Sequence, residues 1–133
     1  MNEIIELHDS EVKAIRQQGG NLILVLGAVI HSSEGRPGSD AGRTFTQEAE
    51  LIIEDARVLS KPKSQPLWIL SGQLTVGEEA FEDVPLPFDR SGDVRVQLSG
   101  VEGVLSAAGR RVRLTLTGVR RHLEDFPSQD ETL

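Results

Sequence analysis

Apolar and polar side chains alternate one by one along most of this chain. In RVRLTLTGV, Val112, Leu114 and Leu116 fall on one side, with Arg111, Arg113, Thr115 and Thr117 on the other. DVRVQLSG repeats the pattern with Val94, Val96 and Leu98 against Arg95 and Gln97, and QEAELIIED sets Ala49, Leu51 and Ile53 against Glu48, Glu50 and Glu54. A period of two predicts half-buried antiparallel strands, because successive side chains of an extended chain leave opposite faces. NLILVLGAVI is apolar at nearly every position and predicts a central strand covered on both sides. TQEAELIIEDARV has fair helix propensity and is the place for a short helix, although its alternation favours a strand.

Turn chemistry separates these runs. QQGGN and AAGRR offer glycines for tight hairpin connections. Residues 32–43, SSEGRPGSDAGR, read as a long mobile polar loop. The prolines of SKPKSQP exclude helix and central strand there, and those of VPLPF confine that segment to an edge or a loop. The expected architecture is a single all-β domain over residues 1–126. It is read as an antiparallel β-barrel, closed or nearly so, or a two-sheet β-sandwich, with at most one short helix. Residues 127–133 are expected to form a disordered acidic tail.

At 133 residues the chain can bury a core without a metal or disulfide to hold it. It has no cysteine, which excludes disulfides, thiolate zinc sites and a thiol nucleophile. The acidic beginning, MNEIIELHDS, lacks the apolar run of a secretory signal, and residues 22–30 are far short of a bilayer-spanning segment. A cytoplasmic location is expected, with no membrane association. The net charge is −7, and the last ten residues hold four acids and no base, leaving 14 basic against 17 acidic residues on the rest. An acidic body with one Trp, four Phe and no Tyr argues against nucleic-acid binding, electrostatic or by stacking.

The stretch ELHDSEV places His8, Asp9 and Ser10 side by side, the three side-chain types of a hydrolytic triad. Neighbours on an extended chain point apart, and a triad needs groups converging from separate segments. No Gly-x-Ser-x-Gly elbow is present either. The expected role is a corner between two short strands, EIIEL and EVKAI. There the Asp9 and Ser10 side chains take backbone N–H groups, and His8 is partly buried against a backbone carbonyl.

LHDSEV followed by a hairpin strand ending in NLILVL resembles a loose group of small bacterial all-β proteins. These begin with a His-Asp-Ser motif and pair strands of the L-x-L type. Most have no assigned function, and some resemble immunity proteins of toxin systems. The likeness covers residues 7–30, with an echo in LTLTGVRRH. It implies a binding or interaction protein and no catalytic residues.

Two sets of side chains carry candidate chemistry. His8, His31 and His122 are the chain's three imidazoles, and with Asp9 they would suit a divalent metal if three strands brought them together. Arg110, Arg111 and Arg113, then Arg120 and Arg121, are dense enough for an anion site. Pairing with Glu48, Glu50 and Glu54 across strands is the simpler expectation for them. The acidic run GEEAFEDVPLPFDR lacks the spacing of a calcium loop, and Trp68 is expected to anchor the core.

The expected function is a non-enzymatic binding or protein-interaction module without a cofactor. It would meet a protein partner or a second copy, as in a homodimer, through strand edges. The alternatives are a metal binder or small metal-dependent enzyme using His8, Asp9, His31 and His122, and an anion binder using Arg111, Arg113, Arg120 and Arg121.

Overall fold

A computed structural model describes residues 1–126; the tail expected at 127–133 lies outside the described residues. The strands are β1 (Asn2–Gln18), β2 (Asn21–Ser33), β3 (Gly42–Glu54), β4 (Arg57–Ser60), β5 (Leu67–Trp68) and β6 (Ser71–Val76). They continue with β7 (Glu79–Phe81), β8 (Asp83–Leu86), β9 (Phe88–Gly100), β10 (Gly103–Leu116) and β11 (Arg121–Phe126). Among the described residues there is no helix, and the segment 46–58 is strand on both sides of a turn at Asp55 and Ala56, in keeping with its alternation.

All eleven strands belong to one antiparallel sheet, ordered β5-β1-β2-β3-β10-β9-β6-β7. β8 also pairs with β1, β11 with β3 and β4 with β10. Three long strands therefore change neighbour along their length. β1 meets β8 at residues 3–6 and β5 at 11–12, and β10 meets β4 at 106–108 and β3 at 111–116. β3 meets β11 at 42–46 and β10 at 49–54.

One face of every long strand is buried, which makes the sheet roll around a single core. Leu22, Leu24, Leu26, Ala28 and Ile30 of β2 meet Ala49, Leu51 and Ile53 of β3, then Val112 and Leu114, Val94 to Leu98, and Leu74. Two irregularities make the rolling possible. On β1 the buried residues run Ile5, Leu7, then Ser10 and Val12; on β10 they run Leu105, Ala107, then Val112 and Leu114. Each strand changes from odd to even inward positions across a bulge, and a bulge bends its strand and increases its local twist.

The expected closed barrel is not formed. The two ends of the sheet approach through the short segment 67–70: Leu67 and Trp68 pair with β1, and the Leu70 N–H donates to the Ser99 carbonyl at 2.8 Å. Ile69 adds two bonds to Asp9 and Ser10, but so short a segment does not continue a barrel wall. Nor are there two separate stacked sheets, because the ladder is continuous from β1 through β7. A strand that bends at a bulge can serve both sides of a core, whereas a flat one needs a partner sheet.

Two local expectations are corrected, and the polar loop is found where it was expected. AAGRR lies inside β10, and the hairpin turn falls at Val101 and Glu102 instead. The polar loop at 34–41 is held by named bonds, with Asp40 accepting from the Arg36 N–H at 2.6 Å and Ser33 donating to the Ala41 carbonyl at 2.6 Å. Trp68 stands 54% exposed while its neighbours Leu67 and Ile69 are buried, since only alternate residues of this segment face inward.

Candidate metal centre

HDS is neither a triad nor a corner between two strands. It is a bulge within β1: Glu6 pairs with Val29 and Glu11 with Gly27, so four residues, 7–10, lie opposite Ala28 alone. Asp9 takes a left-handed conformation (φ 73°) that asparagine and aspartate tolerate better than most residues. The bulge deprives the ladder of partners, and Ser10 supplies them. Its fully buried hydroxyl donates to the Glu6 carbonyl (2.6 Å) and accepts from the Val29 N–H (3.0 Å). Ile69 grips the other side, donating to the Ser10 carbonyl and accepting from the Asp9 N–H, each at 3.0 Å.

With Ser10 directed inward, His8 and Asp9 are left outside, on the same face as Glu6. One Glu6 carboxylate oxygen meets His8 Nε2 and the other meets His31 Nε2. His31, one strand away on β2, has its Nδ1 3.2 Å from the hydroxyl of buried Thr44. Asp9 Oδ2 is 4.0 Å from His8 Nε2. Glu6 and His31 are mostly buried (14% and 13% exposed side chains), whereas His8 and Asp9 are at the surface.

Carboxylate and imidazole atoms of Glu6, His8 and Asp9 lie within 4.8 Å of one another. Around a tetrahedral ion with bonds of about 2.1 Å, donor atoms sit roughly 3.4 Å apart. Reaching that spacing requires exposed Asp9 to turn inward and the direct Glu6–His8 contact to open around the ion. His31 serves differently: with its Nε2–H donating to the second Glu6 oxygen, and Nδ1 on Thr44, it holds the carboxylate in place. Metal-ligating carboxylates are regularly fixed by such an outer partner. The site opens into a cleft of about 430 Å³, walled by Ile4, Asp83 and the 37–39 turn.

His122 does not join this group. His31 pairs with Thr44, but His122 pairs with Phe45 and packs edge-on against its ring (centroids 5.6 Å), with Asp125 on its Nε2. Adjacent residues of β3 face opposite ways, so the two imidazoles are on opposite faces of the sheet. His8 also departs from expectation, since its partner is the Glu6 carboxylate and not a backbone carbonyl.

Three of the clustered arginines, Arg111, Arg113 and Arg120, are held in ion pairs. Arg111 forks onto Asp89 (2.9 and 2.7 Å) and reaches Glu54, which Arg113 also approaches at 3.5 Å. Arg111 holds the Asp89 carboxyl below the usual carboxylate range. Arg120 leaves the link between β10 and β11 and caps the end of the core. It forks onto Glu3 (2.6 and 3.0 Å), meets Gln47 at 3.0 Å and lies 4.9 Å over the Phe45 ring. Its guanidinium lowers the Glu3 pKa. Arg111, Arg113 and Arg120 are therefore each engaged by carboxylates of the chain itself. Arg121 is exposed beside a groove that it shares with Trp68 and Val119.

Sequence reasoning overlooked Glu6 and Thr44, and read Asp83 only as one acid of the run GEEAFEDVPLPFDR. A signal for Glu6 was available: E-x-H on an extended chain puts both side chains on one face. Thr44 and Asp83 come from strands distant in sequence, and no local pattern marks them. Comparison with protein families, curated proteins and solved structures finds no match to this chain.

Proposed function

We propose that this chain is a binding module for a divalent transition-metal ion, with zinc the natural first candidate. Glu6, His8 and Asp9 are the ligands, and His31 and Thr44 hold Glu6. One imidazole with carboxylates suits zinc and its first-row neighbours better than a hard cation, which prefers an all-oxygen shell. The carrying observation is the Glu6 carboxylate, mostly buried and flanked by imidazole nitrogens, with Asp9 adjoining and Asp83 directly across the ladder. An acid-rich pocket of this kind is electrostatically relieved by a cation.

Titrating chelator-treated full-length protein with Zn²⁺ in a calorimeter tests this. One ion per chain is expected, and at about 100 times Kd the native state gains about 2.7 kcal/mol. His8→Ala, at an exposed position, keeps the fold and loses most of the affinity, whereas His122→Ala binds as the parent does. Equal binding by His8→Ala and the parent, or no binding at all, removes the proposal.

A second reading, a protein-interaction surface, rests on a different observation. Trp68, Leu70 and Val101 are 54%, 68% and 88% exposed, on segments joined by the Leu70–Ser99 bond. Light scattering tests self-association through this face: a concentration-dependent dimer that Trp68→Ala abolishes supports it, and a strict monomer refutes it.

A further inference from the structure

Beside the well-paired arginines, three others gather with little carboxylate company. Arg57, Arg95 and Arg110 line one cleft of about 580 Å³ together with Asp55 and Asp93. Arg57 and Arg110 make no ion pair among the described residues, and Arg95 only approaches Asp93 at 4.0 Å. Arg16, Arg111 and Arg120, by contrast, are held at 2.6 to 2.8 Å by acids. The cleft thus keeps one net positive charge in a chain of net −7.

The backbone builds this concavity deliberately, since three neighbouring strands break regularity at the same level. Between β3 and β4 the chain turns at Asp55 in a left-handed conformation (φ 51°). In the β9–β10 ladder, Gly109 pairs with Val94 and Arg111 with Ser91, leaving Gly92, Asp93 and Arg110 without a partner in that ladder. Gly92 has φ 143°, a conformation favouring glycine. Each irregularity brings charge to the rim: Arg57 follows the turn, Arg110 is the unpaired residue, and Arg95 projects from β9 between inward-facing Val94 and Val96.

We propose that this cleft binds the phosphoryl group of a small phosphate monoester. Guanidinium groups present several N–H donors in a fixed fork that matches phosphoryl oxygens, and three around one concavity suit a dianion. Two carboxylates at the rim disfavour longer polyphosphates, whose added charge would meet them. The cleft leaves room for the esterified group beyond a lone phosphate. This site is separate from the metal centre, on different strands.

The test is a calorimetric titration of the full chain with inorganic phosphate and with ribose 5-phosphate, at ionic strength fixed with chloride. Binding of both, at least threefold tighter for the ester, is expected. The Arg57→Gln/Arg110→Gln pair, at surface positions, should retain the parent's circular dichroism and weaken ester binding at least tenfold. Arg121→Gln, outside the cleft, should bind as the parent does. Absence of binding, or undiminished binding by a folded double variant, overturns the site; an ester bound no more tightly than phosphate overturns the monoester assignment.

Discussion

Glu6 and Asp83 stand directly opposite each other on β1 and β8. Like charges facing across strands are destabilising, and a cation between them reverses the sign. Asp83→Asn should therefore raise the melting temperature of chelator-treated protein and lower its Zn²⁺ affinity. Calorimetric melts with and without Zn²⁺ check both halves; a lower melting temperature without metal would mean that the two acids do not repel.

Ser10 fills the bonding gap left by the β1 bulge. Ser10→Ala leaves the Val29 N–H without its acceptor and the Glu6 carbonyl without its donor, in a fully buried place. Loss of about 1–3 kcal/mol is expected. Urea unfolding measures it, and a loss under about 0.5 kcal/mol would show that other groups satisfy the bulge.

Acid sensitivity should trace to the Arg120–Glu3 pair. Glu3 titrates below its ordinary value of 4.5 in the folded state, because Arg120 bonds its carboxylate. A depressed folded value means the pair's stabilisation is present above that ordinary value. It is lost as pH falls from there through the folded value. Glu3→Gln should be less stable than the parent at neutral pH and converge with it in strong acid. Denaturant midpoints from pH 7 to pH 2.5 test this, and a constant gap across the range would exclude the linkage.

Gly109 lies where β10 changes neighbour. An added Cβ would come within 2.3 Å of Ile53 Cγ2 and 2.7 Å of the Glu54 carbonyl oxygen. The backbone carbonyl cannot rotate away as a flexible side-chain tip can. Gly109→Ala should thus cost about 1–3 kcal/mol, as overpacked sites do. An unchanged urea midpoint would mean the strand shifts freely there.

Most of the fold class was legible in local pattern. Val112, Leu114 and Leu116, or Ala49, Leu51 and Ile53, alternate so regularly that strand was the reading for both segments, and both are strands. The candidate site was legible only in pieces. His8, Asp9 and His31 drew attention by residue type, but Glu6, which joins them, looked like another surface acid. The clustered arginines pair with acids, as the sequence reading favoured, but of the acids named there only Glu54 takes part; Asp89 and Glu3 hold Arg111 and Arg120. Arg57 and Arg95, isolated in the sequence, are among those left available.

What the sequence determined by itself was the two-residue rhythm, and with it antiparallel strands around one apolar interior; burial of alternate residues follows from local geometry alone. Only the tertiary structure decided that the strands form one rolled, unclosed sheet. Only it showed that HDS is a bulge, and that His31 and His122 lie on opposite faces. Those outcomes depend on register, which shifts at irregularities in β1, β10 and β11 and is fixed elsewhere by strand pairing. A single inserted residue reverses every side chain beyond it, which no local pattern can reveal before the partner strand is known.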